Sequence, residues 1–204
     1  MLTWLVLAVL VTLSGVLMAY RVGKRHGQAT HALPGSQQAT APRLDRTISD
    51  VLVDDIVQHR GNDWLVEGVI KYEEDGHSWR SARVVDGKEE RWFLVGLDRG
   101  QGLNVRLLSA TSEVGVTGYP PETIHHGGLS YRMARRGMAT AQLAGNLGSF
   151  PVQGLSAGSA TRCRWWRYQA TEGQCLLVEQ WGDTYRTLVG IPVEHQDLEM
   201  LTGS

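Results

Sequence analysis

Hydrophobic and polar positions follow two regimes along this chain. From Leu2 to Tyr20 there are 19 residues without a single charge, rich in Leu and Val. At about 1.5 Å per residue a helix of that length spans roughly 28 Å, close to the hydrocarbon core of a bilayer. The pattern predicts a transmembrane helix over 1–20. Trp4 and Tyr20 lie near its two ends, where amphipathic rings favour the headgroup level. Gly27 to Pro42 reads GQATHALPGSQQATAP, uncharged and rich in turn-forming and small polar residues. With the basic segment before it, this makes 21–42 a juxtamembrane stretch and flexible linker. A soluble β-rich domain is expected over 43–204.

Within that domain, short apolar runs alternate with turn residues. Asp54–His59 alternates weakly and ends at Gly61-Asn62; Trp64–Tyr72 is the clearest strand. A Glu74-Asp75-Gly76 turn leads to a partner over Trp79–Val85, and Asp86-Gly87 to a third strand over Arg91–Val95. Gly100-Gln101-Gly102 turns into Leu103–Leu108. Two Asp-Gly turns between alternating runs predict a four-stranded meander.

The second half is less regular. Val114–Gly128 reads as loop. Ser130–Ala144 fits a strand or hairpin better than a helix, because Gly137 and Gly145 weaken a helix. Gly148–Gly158 is another loop. Thr161–Tyr168 and Cys175–Trp181 form a hairpin about Glu172-Gly173, and Tyr185–Val189 follows the Gly182-Asp183 turn. The tail Val193–Leu201 reads as a last strand or a short helix. The expected class is all-β with minor helix, as a β-sandwich or as paired small barrel-like sheets. Trp64-Leu65-Val66-Glu67-Gly68 echoes Leu176-Leu177-Val178-Glu179-Gln180, which raises an internal duplication as one reading.

Charge adds topology. Arg21, Lys24 and Arg25 directly follow the apolar span, with no charged side chain before it. Lys and Arg near a span tend to stay cytoplasmic. The expectation is a single-pass protein of the cell inner membrane, N-terminus out and soluble domain cytoplasmic. The apolar run lacks a basic n-region and ends Leu17-Met18-Ala19-Tyr20, unlike a cleaved signal peptide. Residues 1–42 hold three basic groups and no acidic one, so the remainder has 17 basic against 21 acidic groups, a net of −4. That balance argues against nucleic acid as a partner. Cys163 and Cys175 lie on opposite arms of the predicted hairpin. Cys163 falls opposite Trp181 and Cys175 opposite Gln169, out of register for a disulfide.

Candidate chemistry is sparse, and no cofactor is implied. His125-His126 on a Gly-rich stretch lacks further ligands at metal spacing. Val95–Gly102 reads VGLDRGQG but lacks the Lys-Ser/Thr of a phosphate loop. Glu67 and Glu179 each follow an apolar triplet and could face one cavity as a carboxylate pair; the plainer reading sets each on a solvent face or against an Arg. Arg162–Tyr168 interleaves cations and aromatics, either as a core strand with Trp165 inside or as a partner or membrane face. The candidate partner or ligand face comprises Arg164, Trp166, Arg167, Glu67, Glu179 and Trp181.

Val53-Asp54-Asp55-Ile56-Val57, Trp64–Val69, Trp92-Phe93-Leu94, Tyr131–Gly137 and Leu177–Gly182, with Gly190 after the closing strand, together resemble a known bacterial family, domain-of-unknown-function family 4178. The resemblance spans about 44–200. It implies a β-rich module, often behind a membrane span and encoded near small membrane proteins and enzymes like those of polyamine synthesis. It brings no catalytic residue. Asp54 stands where the family pattern has Gly. The expected function is a membrane-tethered, non-enzymatic interaction module whose partners are the bilayer and another membrane protein. The alternatives are a sensor of a small ligand such as a polyamine, and an enzyme with a spatially assembled carboxylate or His site.

Overall fold

The computed structural model describes residues 46–150 and 160–203. The expected transmembrane helix, its flanking Trp4, Tyr20, Arg21, Lys24 and Arg25, and the linker lie outside the described residues. Among the described residues no helix is long and apolar enough to cross a membrane.

Eleven strands form one antiparallel sheet: β1 (Ile56–His59), β2 (Asn62–Glu74), β3 (His77–Asp86), β4 (Glu89–Val95), β5 (Val105–Ala110), β6 (Thr123–His126), β7 (Leu129–Gly145), β8 (Ala160–Gln169), β9 (Cys175–Trp181), β10 (Thr184–Val193) and β11 (Leu198–Leu201). The order β2-β3-β4-β5-β10-β9-β8-β7 returns to its start, because β7 also pairs with β2, from Gly68↔Gly145 to Glu73↔Thr140. Eight strands therefore close a barrel. This corrects the expected sandwich or pair of small barrels. Closure pairs the long strands β2 and β7 with each other and, among the described residues, leaves only the four-residue strands β11 and β6 as edges. β1 and β11 extend the sheet beyond β2, and β6 extends it beyond β7.

Local chemistry explains the turns. Asp75 and Gly76 both have positive φ, as does the Arg60-Gly61 pair, matching the twist a two-residue hairpin needs. Asp54 has φ 71°. The departure from the family's Gly thus leaves the left-handed turn in place, and Asp is among the few residues that tolerate it. The 130–144 segment is one long strand and not a hairpin. Its Gly137 lets the Glu74 carboxylate lie where a side chain would stand. The expected loop 114–128 contains the short strand β6. The tail combines a single 3-10 turn (His195–Asp197) with β11, which pairs with β1.

The two halves repeat one plan. β1 and β6 are four-residue strands, each followed by a tight turn and a long strand. Trp64 packs opposite Val57, as Tyr131 does opposite Ile124. A bulge follows in each long strand, between Val66 and Gly68 and between Met133 and Arg135. The repeat equates β2 with β7 and β4 with β9. The echo between Trp64–Gly68 and Leu176–Gln180 is therefore not the pairing the repeat uses.

The barrel interior is filled by residues from all eight strands, including Tyr72, Trp79, Trp92, Trp165, Leu177, Trp181 and Leu188. An eight-stranded barrel is just wide enough for side chains to fill. A second cluster on the outer face of β2–β5 packs Val57, Trp64, Val84 and Phe93 under residues 46–53 and the C-terminal segment. A third joins Ile124, Tyr131, Trp166, Tyr168 and Val178. All six Trp among the described residues are buried.

Candidate functional site

Charged groups inside the barrel gather at its two ends. At the first end, Glu179 on β9 is 1% exposed. Its carboxylate accepts hydrogen bonds from the Tyr72 hydroxyl (2.7 Å), Arg186 Nε (2.9 Å) and Trp181 Nε1 (3.2 Å). The hairpin register places it there, since Glu179 pairs directly with Arg186 of β10. The Arg186 guanidinium lies 4.1 Å over the Trp92 ring and 4.8 Å from Phe150. Burial, then the Glu179 charge, pushes the Tyr72 hydroxyl well above its ordinary pKa, so it stays a donor. Above this cluster opens a cleft of about 400 Å³ lined by Trp92, Thr111, Ser112, Phe150, Tyr185 and Arg186, among others. Beside it, Arg83 is hydrogen-bonded to Glu90 (2.7 Å) and to Glu67.

At the opposite end, Asp98 follows β4 and is 3% exposed. Arg106 donates to it at 2.5 Å, while Arg167 Nε stands at 3.3 Å and Arg135 at 3.9 Å. Asn104 accepts from the Asp98 backbone N–H and from Arg106, which fixes the loop. The buried Arg167 Nε–H and Asp98 Oδ1 make no hydrogen bond. Burial, helped by the neighbouring Arg106 and Arg135 charges, pulls the Arg167 pKa down against the pull of Asp98. Cys175 nearby is a neutral thiol, pushed up to about 11 mainly by burial.

The predicted residues are scattered over these features. Glu67 and Glu179 do not face each other across a shared cavity; each is paired with its own Arg, Arg83 and Arg186. Trp181 is a barrel-core residue bonded to Glu179. Arg164, Trp166 and Arg167 do not form one face. Arg164 is exposed, Trp166 is buried beneath Tyr119 on the outside, and Arg167 points to Asp98. Trp165, on the same strand, lies in the barrel core. His125 contacts the Ser130 hydroxyl (2.9 Å) and His126 lies 3.5 Å from Glu113; among the described residues no group of metal-ligating side chains assembles. The cysteines are free and buried, and Cys175 pairs with Gln169 as the hairpin register requires.

Sequence reasoning missed Arg186, Asp98, Arg106 and Arg135. Arg186 had a signal: the Gly182-Asp183 turn sets it opposite Glu179. The Asp98 cluster had none, since it joins the β4–β5 loop to β5, β7 and β8 across the barrel.

Neither a curated protein nor a solved structure matches this chain. One family model, described as "Domain of unknown function (DUF4178)", matches residues 52–195. That span runs from the turn before β1 to just past β10 and takes in all eight barrel strands, and the chain belongs to this family.

Proposed function

We propose that this protein is a membrane-tethered, non-enzymatic interaction module, its barrel held on the cytoplasmic side of the inner membrane and recognising a membrane-associated partner. The observation that carries this reading is the filled barrel. Aromatic and aliphatic side chains occupy its interior, and the inward carboxylate Glu179 is engaged by Tyr72, Trp181 and Arg186. A general acid or base needs a proton-transfer partner within reach, and this carboxylate is already committed. The polyamine-sensor alternative gains no support, because the Trp92 and Phe150 faces that would receive a ligand cation are covered by Arg186. The tether rests on the uncharged run Leu2–Tyr20 and the Arg21, Lys24, Arg25 cluster after it.

Two experiments test the reading. A reporter fused after Ser204 that is active only in the cytoplasm should give signal; signal only from an exported reporter overturns the topology. Crosslinking of the full chain in native membranes should recover a discrete membrane-protein partner. Recovery of the chain alone under conditions that capture a known membrane complex overturns the interaction role.

A further inference from the structure

The repeated plan of the barrel allows its two ends to be compared residue by residue. Arg83 pairs with the first residue after the β2 bulge, and Arg167 with the first residue after the β7 bulge. Arg83 also pairs with Trp92, and Arg167 with Leu177, so Leu94 corresponds to Glu179. Arg106 pairs with Leu94 and Arg186 with Glu179. Each end thus carries one equivalent pair of arginines, Arg83 with Arg186 and Arg167 with Arg106.

Their counter-charges differ. At the first end Glu67, Glu90 and Glu179 contact the two arginines, leaving a small negative excess. At the second, three arginines, Arg106, Arg135 and Arg167, converge on the single carboxylate of Asp98. The position equivalent to Glu90 is Cys175, an uncharged thiol there. Arg99 and Glu74 at the rim contact each other and cancel. Among the four side chains of this cluster, three arginines against one carboxylate leave two positive charges in excess. The Arg106 and Arg167 side chains are each only 11% exposed. Burying like charges without compensation is costly, and an incoming anion removes that cost. Arg135, at 38% exposed, keeps the cluster open to solvent.

We propose that this end of the barrel binds a doubly charged phosphate group, a phosphomonoester, held between Arg167 and Arg135 while Asp98, Asn104 and Arg106 fix the donors in place. Two planar guanidiniums with free N–H groups match a phosphate's oxygens, and the excess of two charges matches its dianion. The group comes either from a soluble phosphorylated metabolite or from a phosphomonoester lipid headgroup. The site does not depend on the tether or on a protein partner.

The test uses the full chain in phosphatidylcholine nanodiscs, with inorganic phosphate as the probe and thermal unfolding as the readout. Phosphate should raise Tm above chloride at matched ionic strength. Arg135→Gln should weaken the apparent phosphate affinity by about tenfold or more, the loss expected for one charged hydrogen bond. Arg167→Gln should abolish the phosphate response while leaving the phosphate-free protein as stable as wild type or more so, because it relieves the uncompensated charge. A structural role alone predicts the reverse, a less stable phosphate-free protein. No phosphate-specific shift, or the same shift in both variants, overturns the site. Glycerol 3-phosphate and phosphatidate-doped discs then separate the sources. Stabilisation by the first alone assigns a soluble ligand, stabilisation by the second alone a lipid, and stabilisation by neither overturns the phosphomonoester assignment. A phosphate response without any recovered membrane partner would leave this site standing and refute only the interaction role.

Discussion

Replacing Glu179 by Gln keeps its shape but removes the charge that compensates Arg186. In the native barrel the carboxylate accepts from Tyr72, Trp181 and Arg186 Nε, and stands 2.6 Å from Arg186 Nη2. Both partners are almost wholly buried. Breaking a buried ion pair by removing one charge costs roughly 3–5 kcal/mol, since the other charge is left without compensation. Glutamine retains one acceptor oxygen, so the loss should fall near the lower bound, about 3 kcal/mol. For a domain of this size that lowers Tm by roughly 10 °C. The double variant Glu179→Gln with Arg186→Met should recover part of the loss. It removes the orphan cation and keeps an unbranched stem against Trp92 and Phe150. Urea unfolding of the full chain in detergent, followed by tryptophan fluorescence, reads this directly, because four of the buried Trp lie in the barrel core. A single-variant loss below about 1 kcal/mol, or a double variant less stable than the single, refutes the buried pair as a structural keystone.

The buried thiols give an alkaline prediction. Cys175 titrates near 11 in the fold against an ordinary 9.0, and burial likewise raises Cys163. Between those values the unfolded chain releases its proton while the fold retains it, so stability present below pH 9 falls as pH rises toward 11, by about 3 kcal/mol for Cys175. Urea midpoints should fall less steeply across that range in Cys175→Ala, with Cys163 and Tyr72 carrying the remaining decline, and in the native protein neither thiol should react with a maleimide at neutral pH before unfolding. At Gly190 a methyl group would meet the backbone of Leu107 and Leu108, so Gly190→Ala should destabilise by about 1–3 kcal/mol or abolish folding; a Tm equal to wild type would mean the β5–β10 approach is looser than described. Asp54, at φ 71°, should accept Gly without loss, whereas Asp54→Val should cost about 1–2 kcal/mol in thermal unfolding, and equal Tm values for the two variants would argue against the left-handed turn.

Local periodicity and turn chemistry determined most strands by sequence alone. The Asp75-Gly76 and Gly87-Lys88 turns, with positive φ at Asp75, Gly76 and Gly87, delimit β2, β3 and β4, because so short a loop forces the flanking segments to pair. The longer loop around Glu172-Gly173 likewise sets the β8–β9 register and separates the two cysteines. Local pattern reached Glu179 as a residue of note, but not its environment. Tertiary structure alone decided barrel closure, which joins β2 to β7 and β5 to β10 across long sequence separations that no local pattern encodes. It also decided which aromatic faces are covered. Trp165 and Trp166 point to opposite sides of β8, yet both are buried, one in the barrel and the other under Tyr119. Alternation marks a face as solvent only when nothing packs on it, and here residues from the 111–121 loop and the β6–β7 hairpin do. The Asp98 cluster is the extreme case: Arg106, Arg135 and Arg167 lie far apart in sequence and share a carboxylate only because the closed barrel brings β5, β7 and β8 to the same end.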